Sequence, residues 1–147
     1  PLPKLAAAQA PRTAQAVDTF LSAISMDRRY KGRAYAAWLL EHLAPSPALE
    51  ARSMGQLYRS CARAFGTTPA AVERCLRVAV ESVFTQGSMR GIERFFGATV
   101  DPERGKPTNR AFLLQASQQI RLDHSLADTR SPNSSEMHHS PAAPTRV

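Results

Sequence analysis

The sequence predicts an all-α domain of six helices, and three observations support this. Apolar residues recur at intervals of three and four along most of the chain up to His124, the period of one buried helix face. No segment keeps the strict alternation of a half-buried strand. Proline and glycine fall where the periodic runs end, at Pro45-Ser46-Pro47, Gly66 and Gly97. At 147 residues the chain has one domain's length and enough apolar side chains for a sizeable core.

Residues 1–12, PLPKLAAAQAPR, mix proline and alanine without a usable period and read as a linker or arm. Thr13 to Ile24 is a short amphipathic helix with Val17, Phe20, Leu21 and Ile24 on one face. A basic loop, Asp27 to Arg33, follows; Arg28, Arg29, Lys31 and Arg33 are expected to stay hydrated rather than to touch phosphate. A second helix runs from about Arg33 to Leu43, with Tyr35, Leu39 and Leu43 inward and Trp38 flanking them. Pro45-Ser46-Pro47 ends it, because proline removes a donor and restricts the residue before it.

The stretch from Ser53 to Phe84 reads as two helices joined by a tight turn, the outline of a helix-turn-helix. Met54, Leu57, Tyr58, Cys61 and Phe65 form the apolar stripe of the first helix; Val72, Cys75, Leu76, Ala79, Val80 and Val83 form that of the second. Gly66 suits a left-handed C-terminal cap. Thr68 is placed to cap the next helix, and Pro69 falls at its first position, where a missing N–H costs nothing. Gln86-Gly87-Ser88 then makes a turn, and Met89 to Phe96 a short helix burying Ile92 and Phe95 or Phe96. Residues 98–107 form a loop. Thr108 or Asn109 caps a last helix to about His124, with Phe112, Ala116 and Ile120 inward. From Ser125 to residue 147 serine, proline, asparagine and alanine dominate without an apolar period, so a disordered tail is expected. The domain is thus residues 13–124.

The net charge is +7 and the pI near 10.2. That balance favours polyanionic partners, nucleic acid before membrane, since no long apolar run or lipid-anchor motif is present; a basic but inert surface fits it equally. Cys61 and Cys75 lie on apolar stripes and read as small hydrophobes of a reducing, cytoplasmic compartment; the N-terminus lacks the apolar run of a signal peptide. An opening proline suggests a fragment or a processed product. Catalysis finds little to work with. His42, His124, His138 and His139 have no cysteine or carboxylate partner at ligand spacing, and no nucleophile elbow, phosphate loop or dinucleotide fingerprint occurs. No metal, cofactor or enzyme activity is expected.

Glu73, Arg74 and Arg77 lie on the non-core side of the second central helix. An arginine fork can read guanine, and a carboxylate can accept from cytosine. The same residues also make an ordinary solvated face with a Glu73–Arg77 pair at i,i+4. Lys106 and Asn109 flank the start of the last helix, where free N–H groups favour phosphate; an ordinary helix cap explains Asn109 as well.

Several short motifs in a shared order resemble one family. They are Tyr30-Lys31-Gly32, Gly66-Thr67-Thr68 through Val72-Glu73-Arg74 and Arg77, Phe96-Gly97-Ala98-Thr99-Val100, and Lys106-Pro107-Thr108-Asn109 followed by Arg121-Leu122-Asp123-His124. From about Thr13 to His124 the chain resembles the C-terminal DNA-binding effector domain of stage 0 sporulation protein A, a two-component response regulator of sporulation. The resemblance implies a six-helix effector domain, winged-helix-like but without a clear wing, whose third and fourth helices form the helix-turn-helix. It implies promoter binding to double-stranded DNA as a tandem homodimer, with no membrane partner. It also implies contact with the RNA polymerase sigma subunit through roughly Gln86 to Phe96. By matching position, Glu73 and Arg74 would contact bases, Arg77 bases or backbone, and Lys106 and Asn109 phosphate, with Thr67 and Thr68 as further backbone contacts.

Two departures stand out. Ala70-Ala71 occupies the place of a Ser-Arg pair whose arginine reads a base in the family, and Val78 the place of a histidine. The readout at Ala70 and Ala71 is therefore expected to be relaxed or shifted. Only the Pro/Ala arm stands where the linker from the family's receiver domain would end, so the chain is expected to be either an excerpt or free of phosphorylation control. The alternative to a DNA reader is a helical protein-interaction module, binding for example a sigma factor, that keeps the scaffold without specific DNA reading.

Overall fold

The structure, a computed structural model, describes residues 10–86, 92–93 and 106–124. Five α-helices run through them: α1 (Ala10–Ala23), α2 (Lys31–Leu43), α3 (Met54–Phe65), α4 (Pro69–Gln86) and α5 (Asn109–His124). A single 3-10 turn, Pro47–Ala51, joins α2 to α3 and buries Leu49. No strand occurs among the described residues. The all-α class holds. The expected helix at Met89 to Phe96 lies mostly outside the described residues; Ile92 and Glu93 are helical, and Ile92 is buried. Residues 1–9 and the expected tail lie outside them as well. α1 begins at Ala10, inside the stretch expected as an arm, because Pro11 is tolerated in a first turn and Thr13 is buried.

Helix α2 is the hub, packing against α1, α3, α4 and α5. Its Leu39, Leu40 and Leu43 meet Phe20 and Leu21 of α1, Leu57 of α3, Leu76 and Val83 of α4, and Phe112, Leu113 and Ile120 of α5 in one apolar core. Each such side chain contributes about 1.5–3 kcal/mol when fully buried. Burial pushes the Cys61 thiol in this core up to about 12. Four stripe residues are less buried than the period implied, Met54 among them. Cys75 and Tyr58 are half-buried, and Phe65 is 44% exposed at the end of α3, its ring edge-on to Tyr35 at 5.0 Å.

The closest approach in the fold is between backbones. A Cβ placed on Gly32 would fall 2.1 Å from the carbonyl oxygen of Cys75 and 2.7 Å from Cβ of Ala79. Glycine is therefore obligatory at the α2–α4 crossing, and that contact fixes how α4 is carried.

Helix ends are closed by local chemistry. Ser53 accepts from the Gln56 N–H at 3.1 Å, and the Gln56 side chain accepts from the Ser53 N–H at 3.2 Å, a reciprocal capping box. Gly66 takes φ 67°, and the Ala62 carbonyl accepts from both Gly66 and Thr67. Ser25, at φ 64°, closes α1 in the same left-handed way: Met26 donates to Leu21 at 2.9 Å and Ser25 to Ser22 at 3.0 Å. Arginines close the longer-range ends. Arg121 donates to the Leu43 and Ala44 carbonyls and to Glu50, and Arg110 to the Glu50 and Arg52 carbonyls.

Candidate nucleic-acid interface

Helix α4 owes its orientation to one buried stripe. Val72, Leu76, Ala79, Val80 and Val83 face the core, so the 3.6-residue period turns Ala70, Arg74, Arg77 and Val78 outward. The connection from α3 is short and fully capped. Gly66 ends α3, Thr68 accepts from the Ala71 N–H at 3.1 Å, and Pro69 opens α4. α4 therefore leaves the core with Pro69 and Ala70 exposed, and among the described residues no other helix covers Arg74, Arg77 and Val78 on its outer face.

Two clefts border that face. One, of about 370 Å³, lies between α4 and the start of α5. It brings together four of the residues expected at a DNA site, Glu73, Arg77, Lys106 and Asn109. Its charges are largely matched. Arg77 pairs with Glu73 across one turn of α4, which raises the Arg77 pKa, chiefly through that hydrogen bond. Lys106 lies 3.5 Å from Glu81, both side chains about 40% exposed. Arg110 is committed to carbonyls of the preceding turn.

The Asn109 side chain, expected at a phosphate, is engaged within the fold by this arrangement. Asn109 is 9% exposed, and its amide donates to the Tyr58 hydroxyl at 3.1 Å and to the Glu73 carbonyl at 3.2 Å. Both amide hydrogens are used in tying α5 to α3 and α4. Thr108, not Asn109, caps α5, accepting from the Ala111 N–H at 3.1 Å. Tyr58, which the sequence offered only as a stripe residue, is the hinge of this network, and burial raises its pKa. Its half-polar side chain on an apolar stripe was the available signal.

The second cleft, of about 240 Å³, lies on the opposite flank of α4 against the start of α2 and is lined by Arg29, Tyr30, Lys31, Gly32, Arg74, Cys75 and Val78. Arg74 is thus separated from Glu73 and Arg77 by the curvature of the helix. Around the start of α4, Thr68 and Ala70 are exposed and Thr67 and Ala71 half-buried, and the four line neither of these two clefts. Arg33, expected in a hydrated loop, is instead 6% exposed and donates to Asp18 at 2.7 Å and to the Met26 carbonyl. Of the segment expected to meet a sigma subunit, Gln86, Ile92 and Glu93 are described, and Gln86 is exposed.

Among the described residues no helix is long and apolar enough to cross a membrane, and no three His, Cys, Asp or Glu side chains gather as a metal-binding group. Comparison with protein families gives a match to the model described as sporulation initiation factor Spo0A C terminal over residues 17–120, from within α1 to within α5. That span contains the capped turn, the outward face of α4 and both clefts, and it covers most of the chain. The chain belongs to the Spo0A C-terminal family, a family of DNA-binding effector domains of a sporulation regulator rather than of enzymes.

Proposed function

We propose that this chain is a sequence-specific transcription regulator that reads promoter DNA through α3 and α4 acting as a helix-turn-helix. The observation that carries the reading is the outward face of α4, which presents Arg74 and Arg77 beside a capped start with Pro69 and Ala70 exposed. In this reading α4 enters the major groove. Glu73 and Arg74 contact bases, while Arg77 contacts base or backbone and gives up little in leaving Glu73, because an exposed i,i+4 pair is worth only about 0.3–0.5 kcal/mol. Lys106 leaves its exposed Glu81 partner for a phosphate on the same grounds. Thr67 and Thr68 meet backbone near the turn, and Ala70 and Ala71 face bases without a polar group of their own. A tandem homodimer on DNA, a sigma-subunit contact near Gln86, a cytoplasmic location and membership of a two-component system complete the proposal.

Selection of bound duplexes from a random pool tests the reading and returns the site. On the selected duplex Arg74→Ala is expected to weaken binding by about 1–3 kcal/mol and to relax one base position. Equal binding and unchanged preference in Arg74→Ala would remove Arg74 from the reading surface. A second reading is a protein-interaction module, favoured by the Glu73–Arg77 pairing and by alanine at positions 70 and 71. Sigma-factor capture without measurable duplex binding at low salt would favour it.

A further inference from the structure

The two flanks of α4 differ in how much positive charge they leave unspent. On the α5 side, Glu73 and Glu81 line the same cleft as Arg77 and Lys106 and pair with them. On the α2 side, Arg29, Lys31 and Arg74 line the cleft and no carboxylate does. Arg29 pairs with Asp27 at 3.0 Å outside the cleft lining and lies 5.9 Å from the Tyr30 ring. Among the described residues no ion pair includes Lys31 or Arg74. Lys31 is exposed, and its place beside α4 is set by its neighbour, since Gly32 is the residue that touches the Cys75 carbonyl.

Groove geometry supplies the rest. A helix with its side chains is about 10–12 Å across, and the major groove is about 12 Å wide. A helix that enters it therefore has one phosphate strand along each flank. The Lys106 side serves one strand in the reading above, and the opposite flank carries more uncompensated charge. We propose that Lys31, with Arg29 beside it, is a second backbone contact that grips the phosphate strand on the α2 side of α4. This rests on the DNA-binding reading. Arg74 lies between the two functions, its guanidinium turned to the bases while Lys31 holds the strand next to it. The contact is sequence-independent, so it sets the angle and register of α4 without adding a letter to the site.

The test is fluorescence anisotropy of the whole chain on a labelled random-sequence duplex and on the selected duplex, from low to physiological salt. Lys31→Gln and Lys31→Glu are compared with wild type, with circular dichroism confirming the helical fold. Each phosphate contact contributes about 0.9 to the slope of log K against log salt. Lys31→Gln is expected to lower that slope by about one such step on both duplexes alike. Binding at low salt should fall several-fold, and the Lys31→Gln/Lys106→Ala pair should lose about two steps. Wild type that binds while Lys31→Gln and Lys31→Glu keep its slope and affinity overturns the inference and leaves the function standing. Loss of binding on the selected duplex alone overturns it in favour of base contact. Loss of an acidic protein partner with unchanged duplex binding overturns it in favour of a protein surface. Wild type without duplex binding at low salt overturns both the inference and the function.

Discussion

Arginine 33 shows at the scale of one residue how a basic sequence spends its charge. It is 6% exposed, bonded to Asp18 and the Met26 carbonyl, and so serves the fold rather than a polyanion. Arg33→Ala leaves that carbonyl unpaired and is expected to cost about 1–3 kcal/mol in a urea melt. The Arg33 and Arg28 guanidiniums beside Asp18 hold its carboxyl below the usual range, Arg33 first. A carboxyl depressed in the folded state contributes stability above its unfolded pKa and loses it as pH falls through the folded value. Stability should therefore drop below about pH 4, and Asp18→Asn should flatten that part of the profile. An unchanged acid limb in Asp18→Asn would take Asp18 out of the account. Asn109 makes the same point from the neutral side. Its residue type and place fit a phosphate site, yet its amide is spent on Tyr58 and the Glu73 carbonyl, partners 51 and 36 positions away. No local pattern announces bonds of that span, so its burial was not legible.

At the scale of the helix, most boundaries were legible because they are local. Gly66, Thr68 and Pro69 do what their chemistry dictates at the α3–α4 turn. The Ser53–Gln56 box is equally local, a serine followed three places later by glutamine. Ser25 was not legible, since serine seldom adopts positive φ. It gives a directional prediction. Ser25→Gly should stabilise the domain by about 0.5–1 kcal/mol, while Gly66→Ala, which meets no atom within 4 Å, should destabilise it by about 1 kcal/mol through backbone conformation alone. Paired thermal melts check both signs, and a gain from Gly66→Ala would contradict the left-handed cap.

For the whole molecule, the all-α class and the core positions followed from periodicity, whereas the way distant segments close on one another did not. Arg110 and Arg121 reach carbonyls 58 to 78 positions away and thereby lock α5 onto the end of α2 and the turn after it. The core so closed holds Cys61, buried and with its thiol pushed up to about 12, while Cys75 is half-buried. Alkylation at mild alkaline pH followed by mass spectrometry should therefore modify Cys75 first, and Cys61 only as fast as the domain opens. Rapid modification of Cys61 in the native chain would show that the core opens locally.

The contact of Gly32 with the Cys75 carbonyl has a consequence for how binding specificity can change. The pitch of α4 against α2 is set by main chain touching main chain, and no outward side chain of α4 takes part in it. In the proposed DNA-reading role, substitutions at positions 70, 71, 74, 77 and 78 therefore alter base preference without re-aiming the helix. Alphabet and angle are uncoupled, so a selection campaign that randomises those five positions and leaves Gly32 alone would explore new target sites on a constant mount. Randomising Gly32 would discard the mount itself.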